Sequence, residues 1–492
     1  MQTSDMNLVV LIGSVVAVLS IAAKILALGL IPNNRRPSSS TAWLLAILLA
    51  PVFGFVAFFF FGSTRIGRKR HQRQREAFDA IAQHTQGLSR AVDIEARESV
   101  RTVVHLNSEL SALPAMSGNS VEFIEDYATS IAMMTDAIGG ARSFVHIEFY
   151  ITALDDMTSP LIDALEAAAA RGVPVRMLFD HLGSRGIPGY KALIARLEAG
   201  PIEYRPMLPI KPLKGRFRRP DLRNHRKLLV IDDEIAFTGS QNLTEPSYNK
   251  PKNHELGRTW VELMVRVEGP IVAALDAVFA SDWYTEADER LSVSVSEKQT
   301  VAQNEGCVSD VVCQLVPSGP GFVAENNLRM FTTLIYAAND RISLTSPYFV
   351  PDESLLYAVT TAAMRGIDVE LFVSEVSDQF MVGHAQNSYY HALLEAGVRV
   401  YLYPAPLILH SKHFTVDDDV AVIGSSNMDM RSFGLNYEIS LLMLGEPIVD
   451  RMRLVEDHYR AISKELLLAE WNRRPARQRY VDNVMRLTSA LQ

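Results

Sequence analysis

The pattern His-x-Lys, an apolar run to Asp, then Gly-Ser-x-Asn is present twice at identical spacing: His225, Lys227, Asp232, Gly239, Ser240 and Asn242 recur as His410, Lys412, Asp417, Gly424, Ser425 and Asn427. Two matches in register require a chain built from two equivalent halves. Other paired segments agree, since Arg171-Gly172-Val173 answers Arg365-Gly366-Ile367, and Leu197-Glu198-Ala199-Gly200 answers Leu394-Glu395-Ala396-Gly397. Duplication of a half is the simplest account.

The runs Leu228-Leu229-Val230-Ile231 and Phe414-Thr415-Val416 read as strands. Alternate strand residues share a face, so each His projects together with its Lys. An imidazole titrates near neutrality and serves both as nucleophile and as proton carrier. Two of them allow a division of labour, in which one attacks phosphorus and the other protonates the departing alkoxide and then deprotonates the incoming alcohol. The lysines are expected to hold the non-bridging phosphate oxygens, a role that many phosphoryl-transfer enzymes give to a metal. No cofactor or metal is called for.

A lone His or Lys at a strand end is usually structural or solvated. Pairing and duplication reverse that expectation for His225, Lys227, His410 and Lys412. Asp232 and Asp417 complete the pattern as candidate catalytic residues, although receiving backbone donors in a tight turn is the favoured role for them. Ser240, Asn242, Ser425 and Asn427 are candidate phosphate contacts from the end of a second strand. Glu438 follows His410 by 28 residues and Glu255 follows His225 by 30, so each copy has a carboxylate to orient its imidazole. Glu245 and Glu262 compete with Glu255 for that position.

These motifs resemble the paired HKD signatures of the phospholipase D superfamily. Segments 147–151 and 224–227, Trp260, Gly269-Pro270, and segments 317–320 and 346–351 narrow the resemblance to bacterial cardiolipin synthases, over nearly the whole chain. Glu262 stands where Asp is expected two residues after the Trp, a departure expected to touch no motif residue. The resemblance implies two pseudo-symmetric α/β/α sandwich domains sharing one active site. It further implies transfer of a phosphatidyl group between two phosphatidylglycerol molecules, giving cardiolipin and glycerol, with His225 as nucleophile and His410 as acid and base.

A chain of 492 residues exceeds one ordinary core. The expected organisation is a membrane anchor over residues 1–64, a charged helical connector over 65–110, a first domain over 111–290, a linker over 291–305 and a second domain over 306–492. Within the halves, strands at 143–151 and 173–179 flank a helix at 160–170, and strands at 341–348 and 367–373 flank a helix at 353–364. Cys307 and Cys313 form no disulfide framework, and the net charge of -8 argues against a dedicated nucleic-acid binder.

Residues 8–31 and 43–61 are each apolar over nearly the length that crosses a bilayer. A hairpin of two spans is expected, with a re-entrant second segment broken at Pro51 as the competitor. Arg65, Arg68, Lys69, Arg70, Arg73 and Arg75 follow the second segment, against Arg35 and Arg36 between the two, which places the catalytic portion on the cytoplasmic side of the cell membrane. The same cluster is a candidate for anionic lipid heads.

The first half carries 12 extra residues before His225, with Lys211, Lys214, Arg216, Arg218 and Arg219 among apolar residues. This insertion is read either as a lipid-facing lip at the mouth of the site or as a solvated basic loop. The expected partner is therefore anionic phospholipid in a membrane. A phosphodiesterase that hydrolyses phospholipid or nucleic acid with water as acceptor is the alternative, and a noncatalytic lipid-binding scaffold the third reading.

Overall fold

Consecutive residues of the first motif strand are buried on opposite faces: Leu228 and Val230 join one apolar cluster, Leu229 and Ile231 another. A strand apolar on both sides must lie inside a sheet covered twice. The computed structural model describes residues 2–33, 37–62, 68–85, 96–210, 220–292, 306–322 and 325–489. It divides into two compact units, Met1–Arg65 and Ile66–Gln492.

The larger unit is organised by one sheet. The first half contributes β1 (Met116–Ile124), β2 (Val145–Phe149), β3 (Val175–Asp180), β4 (Glu203–Met207), β5 (Lys227–Ile231), β6 (Ile235–Gly239) and β7 (Met264–Glu268). The second contributes β8 (Val308–Ser318), β9 (Arg341–Thr345), β10 (Asp368–Ser374), β11 (Arg399–Tyr403), β12 (His413–Val416), β13 (Val420–Gly424) and β14 (Asn436–Leu444), with β15 (Lys464–Leu466) at the edge. The spatial order is β4-β3-β2-β5-β6-β7-β1-β8-β14-β13-β12-β9-β10-β11-β15. The order of one half, read outward from the β1–β8 junction, is repeated by the other. The antiparallel pairing of β1 with β8 thus joins the halves into one sheet, a continuity the repeat alone does not reveal.

Helices Tyr127–Gly139, Ser159–Ala170 and Tyr190–Ala199 cover the outer face of the first half, and Asn326–Ala337, Glu353–Met364 and Phe380–Ala396 that of the second. Helices Ile271–Ala287 and Glu446–Ile462 share a central core with the inner faces of both. This is the expected α/β layering, and the strands and helices read from the sequence fall where they were expected, the two helices within one residue and the strands within three at either end. Element ends shift by this much with how the last turn or ladder bond is assigned.

The connector appears as helices Arg68–Thr85 and Glu98–Ser111. Two residues of the basic cluster engage the protein: Arg70 pairs with Glu286, and Arg73 with Asp288. Arg75 remains exposed. Arg65 and the side chains of Arg68 and Lys69 lie outside the described residues, as do residues 293–305 of the expected linker and the insertion's Lys211, Lys214, Arg216, Arg218 and Arg219.

The smaller unit contains helices Gln2–Leu30, Pro37–Leu49 and Pro51–Phe61. The interruption at Ala50 follows from Pro51, whose ring disfavours helical geometry in the preceding residue. Among the described residues no helix is long and apolar enough to cross a membrane. Trp43 meets Phe58 edge to face at 5.5 Å, and both pack on Ala27, Ile31 and Ile47.

Candidate active site

Each motif reaches the site by joining a strand of the other half. Arg223–Asn224, just before His225, pairs in parallel with Asn436 and Tyr437 at the start of β14, and the His225 N–H donates to the Tyr437 carbonyl at 2.9 Å. In the pseudo-symmetric place, Ile408–Leu409 pairs with Trp260–Val261, and the His410 N–H donates to the Val261 carbonyl at 2.8 Å. The residue that follows each receiving segment is a glutamate.

The consequence is a crosswise exchange of carboxylates. His225 Nδ1 lies 3.0 Å from Glu438 Oε2 and 2.9 Å from the Ser425 carbonyl, both in the second half. His410 Nδ1 lies 2.7 Å from Glu262 Oε1, in the first. Acceptors at Nδ1 select the tautomer that carries its proton there and leaves a lone pair on Nε2. Both imidazoles are therefore prepared as nucleophiles or bases of the same kind.

This geometry corrects the carboxylate assignments. Glu438 serves His225 rather than the His410 of its own half. Glu255 is exposed at the end of a one-turn helix, Pro251–Glu255, that precedes the returning strand. Glu262, expected to touch no motif residue, bonds both His410 and Ser240. Glu262-Leu263 and Glu438-Ile439 stand equivalently, as the two residues before Met264 and Ser440, the partners of Gly239 and Gly424.

The two serines are committed to these glutamates. Ser240 Oγ donates to Glu262 and Ser425 Oγ to Glu438, each at 2.5 Å, and each hydroxyl accepts a backbone N–H of the residue following its glutamate. They hold the carboxylates, a positioning role that the sequence reading did not assign to them. Asn242 Oδ1 accepts the Ile151 N–H while its amide donates to the Tyr248 hydroxyl at 2.7 Å. Asn427 donates to Asp429 at 3.2 Å, and its buried Oδ1 meets no hydrogen-bond donor among the described residues.

Asp232 and Asp417 stand at the far ends of their strands, about 16 Å of extended chain beyond the lysines. The Asp232 carboxylate accepts the N–H groups of Arg142, Ser143 and Phe144 at 2.7–2.9 Å, and Asp417 those of Asn339, Asp340 and Arg341 at 2.8–3.0 Å. Both occupy left-handed backbone, φ 58° and 48°. Their catalytic candidacy gives way to the turn role: each ties the start of a neighbouring strand to the motif hairpin.

Lys227 and Lys412 are buried, and each ammonium donates to the backbone carbonyl of the His two residues before it. Burial, with the repulsion of Lys412, pushes Lys227 down to about 7, and burial brings Lys412 to about 8. Burial likewise lowers both imidazoles to about 4, against the opposing pull of Glu438 on His225 and Glu262 on His410. Burial alone would raise the two glutamates, but the facing imidazoles and lysines hold them below the ordinary range. Charges from both halves act on one another throughout, which places the two motifs in one site.

Sequence reasoning missed the aromatic lining. The Tyr150 ring meets His225 edge-on at 4.8 Å and lies 5.3 Å from the Lys227 ammonium. Tyr348 approaches His410 at 6.5 Å and donates its hydroxyl proton to Asp378 at 2.7 Å. Both follow strands expected from the sequence, β2 and β9, so their proximity to the motifs rested on strand order.

Residues 134–283 and 331–456 match the family model described as cardiolipin synthase, PLD-like domain. The chain belongs to the cardiolipin synthase family of phospholipase D-like proteins. Residues 14–63 also match a phospholipase D-nuclease N-terminal family. The chain is 33% identical over 93% of its length to cardiolipin synthase A of Proteus mirabilis, covering 94% of that protein, and 33% identical over 94% of its length to cardiolipin synthase A of Serratia proteamaculans, covering 95% of it. The crystal structure of phosphatidylserine synthase from Haemophilus influenzae superposes with a TM-score of 0.61 at 15% identity, over 81% of this chain and all of that one, a likeness of fold.

Proposed function

We propose that the protein is a phosphatidyltransferase that converts two phosphatidylglycerol molecules into cardiolipin and glycerol. Membership of the cardiolipin synthase family supports the reaction. The observation that carries the mechanism is the crosswise pairing of His225 with Glu438 and of His410 with Glu262.

His225 Nε2 attacks the phosphorus of one phosphatidylglycerol, and the bond from phosphorus to the glycerol headgroup oxygen breaks. Protonated His410 gives its Nε2 proton to that oxygen, and glycerol leaves. A headgroup hydroxyl of the second phosphatidylglycerol then gives its proton to His410 and attacks phosphorus. The bond to His225 breaks, yielding cardiolipin and the starting enzyme.

Charge balance favours this cycle. With both lysines and both glutamates ionised, the site is neutral before substrate arrives. A phosphodiester brings one negative charge, which favours both ammoniums and one imidazolium. One protonated and one neutral imidazole is the state the first step needs.

The two apolar segments serve in this reading as a membrane anchor, with the catalytic unit on the cytoplasmic side and anionic phospholipid, phosphatidylglycerol and cardiolipin, as its partner. Their length and polarity, and the excess of basic residues after the second, support it. The apolar match over residues 14–63 is consistent with it.

The test is product analysis of the purified full chain in phosphatidylglycerol vesicles. Cardiolipin and glycerol are expected in equal amounts, with the rate unchanged by a chelator. Phosphatidic acid as the sole lipid product, or cleavage of added DNA in place of lipid transfer, would overturn the proposal.

A further inference from the structure

Tyr437 precedes Glu438 on β14, so the two side chains leave opposite faces of the strand. Glu438 turns to His225, and Tyr437 turns to a pair of buried arginines. Arg70, from helix Arg68–Thr85, donates its Nε–H to the Tyr437 hydroxyl at 3.1 Å and lies over the ring at 5.2 Å. Arg226, inside the first motif, lies over the same ring at 5.4 Å and donates to the Glu438 carbonyl at 3.1 Å. Helix Ile271–Ala287 receives both cations on one face, Arg226 at Asp282 and Arg70 one turn later at Glu286.

The ring is also a structural junction. It packs with Leu208 and Leu222, which flank the basic insertion, and Glu286 accepts the Leu208 N–H at 3.1 Å. The Tyr437 carbonyl receives the His225 N–H. A shift of Tyr437 therefore moves the backbone that carries Glu438 and the backbone that presents His225 together. Arg226 of the first motif covers the ring, while the connector helix, through Arg70, bonds its hydroxyl.

We propose that Arg70 is a positioning residue for the transfer reaction, clamping Tyr437 so that Glu438 and His225 keep their bonded geometry. The inference rests on the phosphatidyltransferase reading above. It makes the connector helix part of the catalytic apparatus rather than a spacer.

Steady-state transfer by the full chain in phosphatidylglycerol vesicles tests it, with a pH–rate profile for each variant. Arg70→Lys keeps a cation for Glu286 but loses the Nε donor and planar fork. Tyr437→Phe keeps the ring and loses the hydroxyl, so neither depends on surviving the loss of a buried charge. Each is expected to lower kcat about tenfold or more, as small displacements of reacting groups do, with KM within about twofold. The acid limb should move to lower pH, because a His225 less closely paired with Glu438 is less basic. The double variant should lose no more than the worse single one, since both act through one contact. Wild-type kcat in both single variants, losses that multiply in the double, or a lowered kcat with an unmoved profile would overturn the role of Arg70. Failure of the wild-type protein to make cardiolipin would instead overturn the reaction on which it rests.

Discussion

His225 Nδ1 is 3.0 Å from the carboxylate of Glu438, a residue 213 positions away in the other half of the chain. The reciprocal pair, His410 and Glu262, is separated by 148 positions. Neither half contains a complete dyad, so a half expressed alone lacks the carboxylate that pairs with its imidazole. Two-fold duplication has produced one site, not two.

Replacing either imidazole should remove turnover while leaving different chemical states. With phosphatidylglycerol labelled in the phosphatidyl group, His410→Ala should accumulate acid-labile label on the protein slowly, because the acid for the first step is lost, and retain it, because the base for the second step is lost too. His225→Ala should retain none. Label on the His225 variant would exchange the two roles.

Glu438→Gln and Glu262→Gln keep shape but remove the charge that stabilises each imidazolium and selects its tautomer. Each should lower kcat by about a hundredfold or more, with KM little changed. The effect should be as large for Glu262 as for Glu438. Full activity in Glu262→Gln, measured alongside Glu255→Gln as the expected silent substitution, would contradict the crosswise geometry.

Asp232→Asn and Asp417→Asn weaken carboxylates that each accept three backbone N–H groups. Stability should fall by about 1–3 kcal/mol for each, as for loss of charge-assisted buried bonds. The kcat of the folded fraction should stay within about threefold. Calorimetry paired with active-site titration separates these outcomes, and a large kcat loss at unchanged stability would return these residues to the chemistry.

Acid should destabilise the substrate-free enzyme in a defined window. His225 and His410 are lowered from 6.5 to about 4 by burial, so between those values the unfolded chain binds more protons and stability rises with pH. Stability is therefore lost as pH falls from about 6.5 to 4. The lowered glutamates add to the loss at the acid end. Thermal unfolding of a His225→Gln, His410→Gln double variant should show a shallower slope across that window; an unchanged slope would count against it.

Glu456 behaves in the opposite sense. Burial raises it to about 8, and it accepts the Thr415 hydroxyl at 3.0 Å on the inner side of β12. Its folded value exceeds the unfolded one, so its contribution is present below pH 4.5 and lost as pH rises through 8. Glu456→Gln should raise the melting temperature above about pH 8 with transfer activity retained. No gain at alkaline pH would show that the carboxyl is ionised where it lies.

Much of the candidate site was legible in the chain because it is local. A His and Lys two residues apart, repeated at one spacing, point to paired chemistry, and a helix flanked by strands in each copy declares the α/β halves. The aspartates were legible too, since a carboxylate after a strand and before a tight turn meets backbone donors wherever that hairpin occurs. The serines' bonds to the glutamates were not legible, because a hydroxyl beside a phosphate pocket and one beside a buried carboxylate have the same sequence neighbourhood.

What the chain determined by itself was therefore the candidate His-Lys pairs, the duplication and the layering of each half, all set by periodicity and short spacing. Only the tertiary structure decided which carboxylate serves which imidazole. That choice depends on Arg223–Asn224 joining β14 and on Ile408–Leu409 joining Trp260–Val261, pairings between segments of opposite halves. Backbone hydrogen bonds of that kind are indifferent to side-chain identity, so they leave no mark at either end of the sequence they connect. The same holds for Arg70, an ordinary cation in a basic run until folding sets Tyr437 beneath it.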